Sequence, residues 1–140
     1  MFNGIIFNKG IVKKILKRSK GLNIFLKSDL KLKKKDLGIS VACDGVCLTL
    51  VSTKDKLLEF YLSNETIERS NFKNITIGSN LNLELPLKYK QPISGHICQG
   101  HVDTVAKVQS INKVDKSYLF SFSINKKFKK DLIEKASICI

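Results

Sequence analysis

The chain repeats itself. Gly4-Ile5-Ile6-Phe7-Asn8-Lys9-Gly10-Ile11-Val12-Lys13-Lys14-Ile15 aligns with Gly100-His101-Val102-Asp103-Thr104-Val105-Ala106-Lys107-Val108-Gln109-Ser110-Ile111 at a constant offset of 96 residues. The leading glycine, the alternation and the closing Val-x-x-Ile coincide. Leu22-Asn23-Ile24-Phe25 then matches Leu119-Phe120-Ser121-Phe122, and Ser40-Val41-Ala42 matches Ser137-Ile138-Cys139, both at an offset of 97. Two copies at so long a period point to a duplicated domain rather than a solenoid. Within 140 residues the second copy has room for only 44, so it stops about halfway through the unit. Half a unit leaves an open strand edge and an uncovered apolar face. The expectation is a C-terminally truncated sequence, or a missing half supplied by another chain.

The first copy reads as strands joined by turns. Gly10–Leu16, Leu22–Leu26, Ile39–Cys43, Val46–Val51, Leu57–Leu62 and Leu81–Leu85 are short runs of period two, rich in β-branched residues. Asp44-Gly45 between two of them predicts a tight hairpin, because both central positions of a primed turn need positive φ. Gly78-Ser79-Asn80 is a second turn. Ser63–Arg69 predicts one short helix, with a Ser or Asn cap and a carboxylate in its first turn. Six short strands and one helical turn predict an all-β fold, a six-stranded Greek-key-like closed barrel, since closure removes exposed edges. Pro86 and Pro92 cannot donate to a ladder, so Leu87–Gln91 reads as a linker. The expected organisation is a first barrel over residues 1–88 and the first half of a second over 89–140.

Charge narrows the partners less than it first suggests. The net charge is +13, yet among 25 basic residues only Arg18 and Arg69 are arginine. Phosphate and base readers lean on the bidentate guanidinium, so a lysine-dominated excess reads as composition and solvated loop, as at Lys31–Lys35. Neither nucleic acid nor membrane is expected as a partner. No stretch approaches the roughly 18 apolar residues of a membrane helix, and Met1-Phe2-Asn3-Gly4 does not open like a secretory signal. The expected location is the cytoplasm. Cys43, Cys47, Cys98 and Cys139 form no Cys-x-x-Cys pair, and a metal site from His96, Cys98 and His101 lacks a fourth ligand.

Four segments together resemble the riboflavin synthase family: Met1–Ile6, Ser40–Leu50, Asn64-Glu65-Thr66-Ile67-Glu68-Arg69-Ser70-Asn71-Phe72, and Ser94-Gly95-His96-Ile97-Cys98-Gln99-Gly100-His101-Val102-Asp103. They fall in the family's order and spacing across the whole chain. The resemblance implies two tandem lumazine-binding barrels, a homotrimer when full length, and lumazine synthase as a candidate partner. It implies a dismutation in which two molecules of 6,7-dimethyl-8-ribityllumazine exchange a four-carbon unit, giving riboflavin and 5-amino-6-ribitylamino-pyrimidinedione. No metal or organic cofactor is implied, because the lumazine is its own electron sink. The protein then mainly holds two flat rings face to face, a proximity effect worth up to about 7–11 kcal/mol.

Carried over residue by residue, the resemblance makes Phe2, Cys47 and His101 the catalytic candidates. Gly4, Ile5, Ile6, Cys47, Leu48, Thr49, Tyr61, Leu62, Ser63, Asn64, Glu65 and Thr66 become substrate contacts of the first barrel. Gly100, His101, Val102 and Lys135 become those of the second. Without the resemblance Cys47 reads as a core thiol, His101 as a structural or surface histidine, and Phe2 as a hydrophobic plug. With it, Cys47 and Thr49 share one side of a strand by alternation, and His101 is the imidazole candidate for a proton shuttle. Asn3 stands where the family usually has Thr, and Tyr61 where some members have Asp. The counterpart of Cys47-Leu48-Thr49 in the second copy would lie beyond Ile140. A second class of function is a lumazine- or flavin-binding protein without chemistry, like the fluorescent lumazine proteins. Retention of Cys47, Thr49, Glu65, Thr66 and His101 favours the enzyme.

Overall fold

A computed structural model describes residues 1–90 and 92–140; Gln91, the end of the expected linker, lies outside the described residues. The chain divides into two compact units, Met1–Asp103 with Cys139–Ile140, and Thr104–Ile138. Residues 89, 90 and 92–103, expected with the second module, therefore pack with the first unit. Among the described residues no helix is long and apolar enough to cross a membrane.

The first unit contains β1 (Asn8–Arg18), β2 (Gly21–Ser28), β3 (Ser40–Cys43), β4 (Val46–Lys54), β5 (Leu57–Ser63), α1 (Asn64–Arg69) and β6 (Asn80–Glu84). All pairings are antiparallel in the order β1-β2-β5-β4-β3-β6, and β6 returns to β1 to close the ring. Alternation places Val12, Ile24, Leu26, Val41, Leu48, Leu50, Leu58, Phe60, Leu62, Leu81 and Leu83 inside, all buried. Each such side chain contributes about 1.5–3 kcal/mol of transfer free energy. β1, β2 and β4 run longer than alternation alone defines, because exposed Lys17, Arg18, Lys27 and Lys54 still pair through the backbone, whereas β3 is one residue shorter than expected and β6 is displaced by one.

Local chemistry sets the connections. Asp44 and Gly45 adopt φ of 44° and 79°, the two positive values the β3–β4 hairpin needs. The Asp44 carboxylate also accepts from Asn82 N at 2.7 Å, tying the hairpin to β6. Ser63 caps α1: its Oγ accepts from Thr66 N at 3.2 Å, while Glu65 lies in the first turn and Arg69 in the last. Ser63→Ala removes that acceptor, and thermal or urea unfolding is expected to register a loss of about 1 kcal/mol.

In β1 the ladder to β2 shifts between Val12↔Leu26 and Lys14↔Phe25, so Lys13 is an extra residue. The bulge explains the Val-x-x-Ile spacing: Val12 and Ile15 both reach the core although they stand three positions apart, an odd number.

The second unit is a hairpin of β7 (Lys107–Val114) and β8 (Ser117–Ser123), followed by a 3-10 turn at Lys126–Asp131. Its ladder shifts between Val108↔Phe122 and Ser110↔Ser121, at the positions 96 residues beyond the β1 bulge. Across this hairpin every paired residue stands 96 beyond its β1–β2 counterpart, so Ile24 corresponds to Phe120 and Leu26 to Phe122. The offset of 97 read from sequence for the second strand is thus corrected by one, and a slip of one exchanges inner and outer faces. Ser137–Cys139, matched in sequence to β3, forms no strand. A strand needs a hydrogen-bonded neighbour, and none pairs there among the described residues.

Candidate functional site

The first residues of the chain are held by backbone hydrogen bonds rather than by a strand. Phe2 N donates to Cys98 O at 2.8 Å, and Cys98 N donates to Phe2 O at 2.9 Å. The Phe2 side chain is buried. Next to it, the Glu84 carboxylate at the end of β6 accepts from Asn3 N at 2.7 Å and from Gly4 N at 3.2 Å. Asn3 Oδ1 accepts from Ile5 N at 3.2 Å, completing a turn in which Gly4 has φ of 77°.

β4 lies against the segment that follows Cys98. Cys47 N donates to Gly100 O at 2.8 Å. A Cβ on Gly100 would stand 2.9 Å from Cys47 Cβ and 3.1 Å from Phe2 Cε2. Val102 packs against the barrel core, and His101 is exposed. Phe2, Cys47 and Gly100 therefore converge. Cys47 is half-buried and Thr49 exposed, two residues apart on the outer face of β4, and neither side chain has a hydrogen-bond partner among the described residues.

Other expected contacts sit differently. Leu48 and Leu62 are core residues, so their side chains face the interior and only their backbone is left for a ligand. This follows from strand alternation, which carries every second member of a contiguous motif to the opposite face. Tyr61 OH donates to Lys20 O at 2.7 Å. Ser63 and Thr66 are joined through their hydroxyls at 3.0 Å, and Glu65 pairs with Arg69 at 3.0 Å. Their polar groups are thus largely engaged, while the Asn64 side chain is exposed. Ile5 is half-buried and Ile6 exposed. Lys135 belongs to the second unit, exposed and at φ of 63°.

The thiols differ in environment. Burial pushes the Cys43 thiol far above its ordinary range, so it stays protonated. The hydrogen bond that the Cys98 thiol shares with Cys139, Sγ to Sγ 2.8 Å, favours its protonated form and is the main cause that pushes Cys98 up to about 11. Among the described residues no three His, Cys, Asp or Glu side chains gather as a metal site. A cavity of about 210 Å³ is lined by Asn3, Ile5, Phe7, Glu84, Leu85 and Leu87. Sequence reasoning missed Glu84 and Gly95. A Cβ on Gly95 would come within 2.5 Å of Asn3 O, so this glycine admits the N-terminal segment of backbone. The available signal for Glu84 was a carboxylate closing an otherwise regular strand, Leu81–Glu84.

Comparison with known proteins now adds to this geometry. The family model for the lumazine binding domain matches residues 3–86. Riboflavin synthase of Saccharomyces cerevisiae is 37% identical over 105 residues, covering 74% of this chain and 44% of that protein. Riboflavin synthase of Bacillus subtilis is 27% identical over 140 residues, covering all of this chain and 65% of its own length. That of Chlamydia muridarum is 43% identical over 83 residues, covering 59% and 40%. The chain thus spans 40–65% of the length of these relatives. In fold it resembles the crystal structure of LumP complexed with riboflavin, with a TM-score of 0.76, 22% identity, and coverage of 95% of this chain and 72% of that one. LumP complexed with 6,7-dimethyl-8-(1'-D-ribityl) lumazine gives a TM-score of 0.73 at 24% identity, over 90% and 70%. With its six-stranded ring filling the matched region and the family model covering more than half its length, the chain belongs to the lumazine-binding domain family.

Proposed function

We propose that the first unit binds 6,7-dimethyl-8-ribityllumazine, and that the chain serves riboflavin synthase, which dismutates two such molecules to riboflavin and 5-amino-6-ribitylamino-pyrimidinedione. The observation that carries this reading is the pair of uncommitted groups on β4, the Cys47 thiol and the Thr49 hydroxyl, beside the loop that brings Gly100–Val102 to the same strand. A flat heterocycle needs an apolar wall and a few convergent polar groups. Ile5 and Ile6 supply the first, and Cys47, Thr49 and backbone groups the second.

In the reaction, a ring methyl of one lumazine gives up a proton and its carbon attacks the second ring. The protein's share is to hold the rings together, and His101, exposed beside the Cys47 segment, is the candidate proton carrier. Phe2, buried against Gly100, serves as an apolar support for that loop. Cys47 serves as a contact or as a nucleophile toward the electrophilic ring. Gly4, Tyr61, Asn64, Glu65, Thr66 and, in a second module, Lys135 are assigned as substrate contacts.

The hairpin β7–β8 supports reading residues 89–140 as the first half of a second Greek-key-like barrel, because its register and bulge repeat those of β1–β2 at an offset of 96. Trimer assembly, association with lumazine synthase and a cytoplasmic location belong to the same proposal. A polypeptide of these 140 residues is expected to bind the ribityllumazine with little turnover, since a composite site needs the second module's counterpart of Cys47-Leu48-Thr49. Fluorescence titration with the ribityllumazine should show saturable binding, and Thr49→Val should weaken it by about tenfold, the worth of one hydrogen bond near 1.4 kcal/mol. Absence of any saturable change in the unaltered chain would overturn the reading.

A further inference from the structure

Glu84 is 7% exposed, and among the described residues no cationic side chain lies within ion-pairing distance of it. A buried carboxylate without a counterion is costly to keep. Two backbone donors compensate it: Asn3 N at 2.7 Å and Gly4 N at 3.2 Å, one on each oxygen. A carboxylate is the one side-chain group of this length that accepts twice and donates nothing, whereas an amide would turn an NH₂ toward one of these donors.

The segment held in this way does little for the fold that it joins. Between the Glu84 clasp and the start of β1 at Asn8, residues 4–7 have no ladder pairing, and Ile6 and Phe7 are 41% and 82% exposed. A flexible apolar segment would ordinarily be left free or folded inward. Here its start is anchored, with Gly4 N on the Glu84 carboxylate and Ile5 N on Asn3 Oδ1, while Ile6 and Phe7 face outward. That is what a rigid wall for a planar apolar ligand requires, because a wall already ordered spares the entropy of ordering it on binding.

We propose that Glu84 is a positioning residue: it clasps the Asn3 and Gly4 amides and so sets Gly4–Phe7 as a preformed wall for the ribityllumazine ring. This rests on the functional reading above, which supplies the ligand, while the clasp itself stands on the hydrogen bonds. Glu84 acts through the peptide and does not touch the ring.

The test compares the 140-residue chain with Glu84→Gln. The unaltered chain should bind ribityllumazine, and Glu84→Gln should raise Kd tenfold or more. The Asn3 and Gly4 amide proton resonances should move upfield once the carboxylate is gone, while those of the β2–β5 ladder stay in place. Hydrogen exchange of the unaltered, ligand-free chain should already show the Asn3 and Gly4 amides protected, a readout that stands even if the variant does not fold. Exchange at these amides at the rate of an unfolded chain overturns the clasp. Normal binding by the unaltered chain together with a Kd within twofold in Glu84→Gln overturns the positioning role alone. No binding by the unaltered chain overturns the functional reading and this role with it.

Discussion

Gly100→Ala is expected to detach the loop at 95–102 from β4 and to abolish most ribityllumazine binding. Gly100 has φ of 80°, a conformation that costs an L-residue about 1–2 kcal/mol. The added methyl would also meet Cys47 Cβ at 2.9 Å, Cys47 N at 3.1 Å and Phe2 Cε2 at 3.1 Å. Neither the strand nor a buried phenyl ring yields easily, so the loop must move. Cys47 N then loses Gly100 O as acceptor, adding about 0.5–1.5 kcal/mol. The Cys47 thiol, now half-buried, should become more open, and its alkylation by iodoacetamide should accelerate several-fold. An unchanged alkylation rate with unchanged ligand affinity would show that the loop does not pack on β4.

The second large effect is confined to stability. Gly21 opens β2 opposite Ser63, where β2 and β5 approach so closely that a Cβ would overlap the Leu62 carbonyl oxygen. The obstacle is backbone, held in the ladder, so no rotamer change relieves it. Gly21→Ala is expected to destabilise the first unit by about 2–3 kcal/mol. For a domain of this size the melting temperature should fall by about 10 °C or more. Urea unfolding should show a lower midpoint with an unchanged slope, since the surface exposed on unfolding stays the same. A fall of only a degree or two would mean that the β2–β5 approach is looser than described.

Much of the barrel was legible because it is specified locally. Asp44-Gly45 dictates a hairpin through backbone conformation, and Ser63 dictates a helix start through one hydrogen bond. Core positions such as Ile24, Phe60 and Leu83 follow from alternation. The misreadings arise where pairing, which is not local, overrides pattern. The offset of 97 for the second strand followed side-chain similarity, Leu22 to Leu119, where the ladder sets Leu22 opposite the β1 residue whose counterpart pairs with Tyr118. Ser137–Cys139 has the composition of a strand but, among the described residues, no neighbour to bond.

The site was legible in part for the same reason. The motif Cys47-Leu48-Thr49 was rightly placed on one strand, yet it is divided between two faces, with Leu48 in the core. Tyr61, Ser63 and Thr66 carry suitable hydroxyls that turn out to serve Lys20, the helix cap and each other. Glu84 escaped notice because its partners are two main-chain amides some 80 residues away, and amides leave no trace in side-chain patterns.

The extra residue at Lys13 bears on how β1 finds its partner. In a regular antiparallel pair, sliding one chain by two positions keeps oily and watery sides in place, so such mispairings compete with the correct one. A bulge forbids the slide: moving β1 along β2 would carry the irregularity to a point where Val12 and Ile15 could not both turn inward. The irregular residue thereby acts as a notch in a key, leaving the β1–β2 hairpin one alignment in which both side chains turn inward.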